Sequence, residues 1–495
     1  MASSTSADAL IALTSAWQQA WADFLSNRIV LAERRAAPFL HSLPEKVAAA
    51  AAPVAAAAAP GAADDDERLA DELVMLGDLA HLAGAVRDDA PLLRSALAAY
   101  DAHLARIPLN LAAMRMRAET LLRVREYVAA FAAFGALYEA NLRAAKEDEI
   151  AADAAAEVAP FQLRHDAECI EDAVRLGADA ASLGRAASWR TLAEDLQREA
   201  AGEATHRWAV SGLSEARRAL LGAHGLPLPT PPSASASLPP TRALRADLDW
   251  AWASSEYATQ RHVVIDDLLE PLALATLQAY TRHGAHFRTL RKGYLGAFPA
   301  DGTTHPLLLS LAQELTESAP TIFGAHALAL WWIFKYDSHS NPHGIGIHAD
   351  PAAVNMNLWL TDDAACVEGG GLAIYSHVPP LEQPTQGVNH EFGSDGAEAS
   401  LRQTLVAAGT VRTVAYRCNR AAVFVSDQYH ESLPFSFREG YEQRRANLTL
   451  LFGDRWSHTE PAAAIASSAG PAAAASDFFG AGVATSTDDG FDVFD

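Results

Sequence analysis

From Ala7 to about Gly222 the apolar positions recur with helical spacing, in long Ala/Leu/Glu/Arg runs that hold few strand-forming residues. Ala48–Ala63 interrupts them: it is nearly pure alanine broken by Pro53 and Pro60, and reads as a low-complexity linker. Further helix is predicted over Phe161–Gly177 and Ala186–Leu221. Between Leu226 and Thr241, prolines 227, 229, 231, 232, 239 and 240 flank a Ser-Ala-Ser-Ala-Ser run. Proline at that density blocks helix and favours an extended connector. From His262 the pattern changes. His262–Ile265 reads as a strand, and Glu270–His283 and Pro306–Ser318 as helices. Short β-type runs follow at Leu328–Tyr336, Val354–Leu360, Leu372–Ser376, Thr410–Tyr416, Ala421–Val425 and Arg445–Phe452, with turn residues between them. After Trp456 the chain turns Ala/Ser/Gly-rich and closes on Asp-Asp-Gly-Phe-Asp-Val-Phe-Asp, the composition of a disordered acidic tail.

Within the helical part, the pair Ala96 and Tyr100 is matched 34 residues later by Ala130 and Phe134. That is the period of the tetratricopeptide helix hairpin, in which the small residue lets two helices approach and the aromatic fills the groove beside it. Glu67 to Leu142 therefore resembles two degenerate tetratricopeptide-like units, although the Trp, Leu-Gly and Tyr marks of that family's first helix are poor here. The expected division is an N-terminal helix (1–46), a low-complexity linker (47–66), a helical, tetratricopeptide-like domain (67–222), a Pro-rich linker (223–242), a strand-rich domain (243–456) and a tail (457–495). The fold class expected is multidomain: an all-α region followed by an α+β double-stranded β-helix, or jelly roll, with helical support.

A chain of 495 residues is too long for one ordinary core, which agrees with that division. The formal net charge of -23 disfavours nucleic acid and anionic lipid as partners. Cys169, Cys366 and Cys418 are odd in number, far apart and form no CxxC, as expected of reduced thiols in an intracellular protein. Met1–Leu25 has no basic segment before an apolar core, and no later run is apolar for long enough to span a bilayer. A cytoplasmic protein is expected, with organelle targeting left open.

The chemistry concentrates in His348-Ala-Asp350. Residues i and i+2 of an extended segment point to one side, so both can bind one metal ion. His430, shortly after the strand-like run Ala421–Val425, can close the set. Two imidazoles and a carboxylate on one face of an octahedron leave three positions open, the usual protein site for non-haem Fe(II) that activates O₂. A lone His-x-Asp carries little weight in a chain with 18 histidines. Its context adds Tyr336 before it, the Gly369-Gly370-Gly371 turn after it, and Arg445 opening a strand beyond His430.

In that order of features, Val263 to Gly453 resembles the Fe(II)/2-oxoglutarate-dependent oxygenase superfamily, in particular its prolyl-hydroxylase-like branch. The resemblance runs from Val-Ile-Asp-Asp-Leu-Leu (264–269) through Tyr336, the His-x-Asp pair, the glycine turn and His430 to Arg445, over roughly two fifths of the chain. It implies that His348, Asp350 and His430 hold Fe(II) and that Arg445 pairs with the distal carboxylate of 2-oxoglutarate. A buried dicarboxylate needs such a planar, always-charged partner. Thr449, four residues on, and Tyr336 are further expected contacts to 2-oxoglutarate, and Asn357 and Trp359 are expected to line the pocket. O₂ is the implied oxidant, and ascorbate an optional reductant. Asp350 favours oxygen insertion, since related halogenating enzymes lack this carboxylate. Here the gap between His430 and Arg445 is longer than in the family, with Phe435–Gln443 as an inserted loop, so Arg438 and Arg444 are rival anchors. Strand alternation turns Arg444 to the opposite side and favours Arg445.

The implied activity is hydroxylation of a C–H bond with release of succinate and CO₂. A helical repeat usually offers a concave protein-binding surface, which places a protein side chain slightly ahead of a small molecule as the unidentified prime substrate. Two other classes compete: a non-catalytic scaffold with an oxygenase-like fold, and a cupin-like isomerase or lyase with another metal. Arg445 discriminates against the second. Among the remaining conspicuous residues, His339 and His343 are expected in a loop, His377 exposed, Trp331 and Trp332 in core on opposite faces, and His165-Asp166 on a helix surface.

Overall fold

The computed structural model describes residues 2–25, 29–51, 62–147, 157–222, 228–229, 242–284, 286–291, 293–337, 344–380 and 395–458. Of the linker expected over 47–66, both ends are helical (47–51 and 62–66), and 52–61 lie outside these residues, as do most of the Pro-rich connector, His339, His343 and the acidic tail beyond His458.

Seven helices open the chain: α1 (Ala2–Leu25), α2 (Ile29–Leu40), α3 (Leu43–Ala51), α4 (Ala62–Arg87), α5 (Ala90–Leu104), α6 (Leu111–Arg123) and α7 (Tyr127–Glu147). Asp89 caps α5 by accepting from the Leu92 amide at 3.0 Å, and Asn110 caps α6 from Ala113 at 3.0 Å. Ala96 and Tyr100 fall on α5, and Ala130 and Phe134 on α7; all four are buried. A Cβ on Gly77 of α4 would stand 2.9 Å from the Tyr100 ring, so glycine there admits the tyrosine, whose hydroxyl donates to Asp78 at 2.7 Å.

A two-stranded ribbon, β1 (Glu157–Val158) and β2 (Trp208–Ala209), brackets α8 (Pro160–Arg175) and α9 (Leu183–Glu199); α10 (Glu215–Leu221) follows. The helix expected over Ala186–Leu221 is therefore broken. The break follows Ala200-Ala201-Gly202, where Ala201 and Gly202 take positive φ and end α9.

The second part carries α11 (Trp250–Gln260), β3 (His262–Ile265), α12 (Pro271–His283), β4 (Thr289–Arg291), β5 (Tyr294–Ala297), α13 (Pro306–Ser318), β6 (Leu328–Tyr336), β7 (Val354–Trp359), β8 (Cys366–Gly369) and β9 (Leu372–Tyr375). It ends with α14 (Asp395–Ala408), β10 (Val411–Val414), β11 (Ala421–Val425), β12 (His430–Ser432), β13 (Phe435–Phe437) and β14 (Ala446–Phe452). Seven strands form one antiparallel sheet in the order β3-β11-β7-β14-β6-β5-β4, beside a three-stranded sheet β10-β9-β12 and a pair β13-β8.

Alternation sorts the large sheet into two faces. One face presents Trp331, Ile333, Met356, Leu358, Val423, Leu448 and Leu450 to the buried leucines of α12 and α13. The same cluster takes in Leu121, Phe131 and Phe134 from α6 and α7. Phe131 stacks on Trp331 with centroids 4.4 Å apart, and the Leu328 amide donates to the Tyr127 hydroxyl at 3.0 Å. The helical part thus braces the back of β6 through a shared core. The other face is covered by the small sheets: Trp332, Phe334 and Tyr336 meet Phe435 and Phe437, while Trp359 and Phe424 meet Leu372, Ile374 and Val414. Trp331 and Trp332 are both buried, in these two different clusters.

Three more expectations are corrected. Phe435–Gln443 is not a plain loop, because β13 pairs with β8, Phe435 opposite Gly369; Phe435 and Phe437 point inward while Ser436 faces out, a period of two too short to stand out in the sequence. His165 and Asp166 are not on a helix surface: both are buried, the His165 ring against Phe287 and Tyr441, with His165 Nδ1 2.8 Å from Asp166 Oδ1. His377 is half-buried.

Candidate active site

His348 and His430 face each other as an isolated antiparallel bridge, closed by reciprocal backbone bonds of 3.0 and 2.8 Å. Their ring centroids are 4.2 Å apart. Each Nδ1 lies 2.8 Å from the carbonyl two residues earlier, Gly346 for His348 and Gln428 for His430. An N–H donated there fixes the tautomer and leaves both Nε2 atoms as lone-pair donors. Asp350 joins them, with Oδ1 3.9 Å from His348 Nε2 and Oδ2 3.4 Å from His430 Nε2. All three ligand atoms fall within 4.8 Å of one another.

The three side chains are held for this. Ser426 accepts from the Asp350 amide (3.3 Å) through its carbonyl, and its hydroxyl donates back to the Asp350 carbonyl (3.1 Å). On the turn leading to His430, buried Asp427 pairs with Arg455 at 2.8 Å; burial pushes its carboxyl up to about 7, against the pull of Arg455. Burial, with His430 beside it, pushes His348 down to about 4 and keeps it the neutral imidazole that a metal requires.

The carboxylate is the informative member. Asp350 is 1% exposed, and its Oδ2 accepts from Asn355 Nδ2 at 2.7 Å. Its Oδ1 is buried with no hydrogen-bond partner among the described residues. A buried carboxylate oxygen left without a donor is costly, and a cation between it and the two imidazoles would satisfy it. The donor set, two neutral nitrogens and one carboxylate oxygen, suits Fe(II).

From Asp350 a chain of amides crosses the sheet. Asn357 Nδ2 donates to Asn355 Oδ1 (2.9 Å), Thr449 donates to Asn357 Oδ1 (2.9 Å), Asn447 Nδ2 reaches the same oxygen (3.3 Å), and Arg445 Nη1 donates to Asn447 Oδ1 (3.4 Å). Register explains it: Thr449 lies opposite Asn357 and Leu451 opposite Asn355, so odd-numbered positions on β7 and β14 share one face.

Arg445 is 2% exposed. Its guanidinium lies 4.6 Å from the Tyr336 ring centroid and 5.1 Å from that of Phe435. It donates to the Gly370 carbonyl through Nε (3.3 Å) and Nη2 (3.2 Å). Gly369 and Gly370 both take positive φ, and a Cβ on Gly369 would stand 1.9 Å from the Pro434 carbonyl; the turn needs glycine. No carboxylate among the described residues lies within ion-pair distance of Arg445. Its rivals are placed elsewhere: Arg444 pairs with Glu168 (2.9 Å) and Asp337 (3.7 Å) behind the sheet, and Arg438 is exposed.

His348, Asp350 and His430 thus converge, and Tyr336, Asn357, Thr449 and Arg445 gather along the same face. Trp359 shares that face but is packed among Leu372, Ile374, Val414 and Phe424. Sequence reasoning passed over Asn355 as a partner of Asp350, and over Asn447. Period two was the available signal, since Asn447 sits midway between Arg445 and Thr449. Replacing Asn355 with alanine should weaken Fe(II) or Co(II) binding by roughly 10–100-fold, the usual cost of losing a group that orients a metal ligand; anaerobic metal titration measures it, and unchanged affinity would show that Asp350 needs no such support.

No family model matches the chain, and no curated protein does. Among solved structures, the chain is similar to the non-haem alpha-ketoglutarate-dependent epimerase SnoN from nogalamycin biosynthesis, at 17% identity over 41% of this chain and 83% of that one, with a TM-score of 0.32. It is also similar to a Pseudomonas putida prolyl-4-hydroxylase (17% identity, 41% and 98% covered, TM-score 0.27). A third is a 2OG-Fe(II) oxygenase family oxidoreductase from Burkholderia pseudomallei (12% identity, 42% and 94% covered, TM-score 0.28). Each overlap leaves more than half of this chain unmatched.

Proposed function

We propose that the chain is an Fe(II)- and 2-oxoglutarate-dependent oxygenase that hydroxylates a C–H bond of its prime substrate. One observation carries the reading: a buried guanidinium without a counter-charge, Arg445, is joined by amides to a buried carboxylate with an orphaned oxygen, Asp350. Among the described residues each lacks a partner of opposite sign, and a metal chelated by a dicarboxylate would supply both at once.

In this reading Nε2 of His348, Nε2 of His430 and Oδ1 of Asp350 hold Fe(II). Bound there, Fe(II) would couple oxidative decarboxylation of 2-oxoglutarate by O₂ to insertion of one oxygen atom into a C–H bond, giving succinate, CO₂ and an alcohol. The protein's share is orientation and shelter. Arg445 takes the distal carboxylate in a two-point pair, Tyr336 and Phe435 wall the guanidinium, and Thr449 and Asn447 offer polar contacts to the same ligand. The large sheet and the two small sheets facing it are read as a jelly roll, and the α4–α5 and α6–α7 pairs as tetratricopeptide-like units. Since α7 is taken up by the sheet, a protein substrate would dock on the remaining helices.

With Fe(II) and 2-oxoglutarate alone, purified protein should release succinate slowly, measurable by chromatography or NMR. Equal release by His348→Ala, or no Fe(II) binding by the wild type, would sink the enzyme reading.

A further inference from the structure

Behind the β6–β14 pair, alternation turns Lys335 and Arg444 away from their neighbours Tyr336 and Arg445. Lys335 is 5% exposed. Its Nζ sits 4.2 Å from the Phe287 ring centroid and 4.8 Å from that of Tyr441. It donates to the Tyr441 hydroxyl at 3.3 Å, and that hydroxyl donates to the Arg282 carbonyl. No carboxylate among the described residues lies within ion-pair distance of the Lys335 amine. Arg444, by contrast, has Glu168 and Asp337.

Lys335 borders a cleft of about 200 Å³ between α12 and the segment leading into β14. Two further donors line the same cleft and are unused. The Thr281 hydroxyl, on a residue 4% exposed, has no partner among the described residues, and neither has Arg444 Nε. At the mouth Glu442 is already engaged by Arg175 at 2.6 Å, with Arg282 3.8 Å away, and Asp362 is exposed. The lining thus holds one cation, Lys335, without a carboxylate at ion-pair distance among the described residues, and two unused donors beside it, while the mouth is mixed. That suits one compact anionic group.

We propose that this cleft binds the oxyanion group, carboxylate or phosphate, of a small metabolite, with Lys335 as its counter-charge. Burial pushes the ammonium down to about 7 in the ligand-free protein; an anion beside it would stabilise the charged form. The cleft lies back to back with the Arg445 pocket, since the Tyr336 amide donates to the Arg445 carbonyl at 2.9 Å. Any effect of the ligand on turnover rests on the oxygenase reading; binding itself does not.

The test is titration calorimetry of the full chain with inorganic phosphate and, separately, acetate. Saturable binding of one of the two is expected in the wild type, and the tighter of them identifies the group. Lys335→Met should weaken it at least tenfold and Thr281→Val several-fold, while Arg438→Met, at an exposed side chain outside both sites, leaves it unchanged. Thr281→Val carries the test if Lys335→Met fails to fold, which circular dichroism reports. Absence of binding by both anions, or equal binding by Lys335→Met or by a folded Thr281→Val, would overturn the proposal. Loss of binding in Arg445→Met alone would place the anion on the other face and overturn it too.

Discussion

Asp350→Ala should abolish metal binding at any practical Fe(II) concentration while leaving the fold intact. Removing a group that only orients a ligand costs about 10–100-fold in affinity, so losing the one anionic ligand should cost more than that. What remains is two neutral imidazoles held 4.2 Å apart by the His348–His430 bridge, whose backbone bonds do not involve the lost side chain. Without metal, the substitution also removes a buried carboxylate whose Oδ1 has no partner, which offsets the loss of the Asn355 bond. The unfolding temperature of the metal-free protein should therefore change little, while the rise produced by added Fe(II) or Co(II) should vanish. Thermal unfolding with and without metal, under anaerobic conditions, reads both. A metal-induced rise that survives in Asp350→Ala would mean that the ion binds elsewhere, and with it the reading of all three ligands would fail.

How much of this was legible beforehand depends on the range over which the signal acts. The strands of the large sheet from β6 onward are strand-length runs rich in apolar and aromatic residues, and Leu328–Tyr336 and Ala421–Val425 match β6 and β11 end to end. So do His262–Ile265 for β3 and Pro306–Ser318 for α13, the latter because Pro306 marks its first turn. The short strands β4, β5, β8, β12 and β13 were not legible. At three or four residues each, pairing rather than composition makes them strands. The arginines were sorted by the same alternation that places side chains on a strand, and Arg444 and Arg445 do face opposite ways. The burial of His165 and Asp166 was beyond reach, because His165 packs on Phe287 and Tyr441, far along the chain from α8. Nor did the sequence reveal that Phe131 and Phe134 serve the sheet's core: Phe134 is the aromatic that reads as part of a repeat within the helices.

Arg445→Met should separate stability from co-substrate binding, with opposite effects on the two. A guanidinium stays charged in any protein environment, and this one is 2% exposed, set against the Gly370 carbonyl, the Asn447 amide oxygen and two aromatic faces, with no carboxylate among the described residues at ion-pair distance. Replacing a buried charge that has no counter-charge by an apolar side chain of similar length is often neutral or stabilising, so the ligand-free unfolding temperature should hold or rise. Binding should respond the other way. Truncating one partner of a buried, hydrogen-bonded charge pair costs about 2–5 kcal/mol, and 2-oxoglutarate should accordingly bind more weakly by about 30-fold or more at the tenfold-per-1.4 kcal/mol conversion. Arg445→Lys keeps the charge but loses the planar two-point geometry and should fall between the two. Arg438→Met should leave 2-oxoglutarate affinity unchanged, because that side chain is exposed on the segment after β13. Arg444→Met should lower stability through its lost partners Glu168 and Asp337 and leave the affinity near that of the wild type. Calorimetric titration of 2-oxoglutarate into the anaerobic metal-loaded protein distinguishes these outcomes. An unchanged affinity in Arg445→Met with a loss in Arg438→Met would move the anchor to the segment between β13 and β14, and would leave the buried guanidinium of Arg445 without a ligand to explain it.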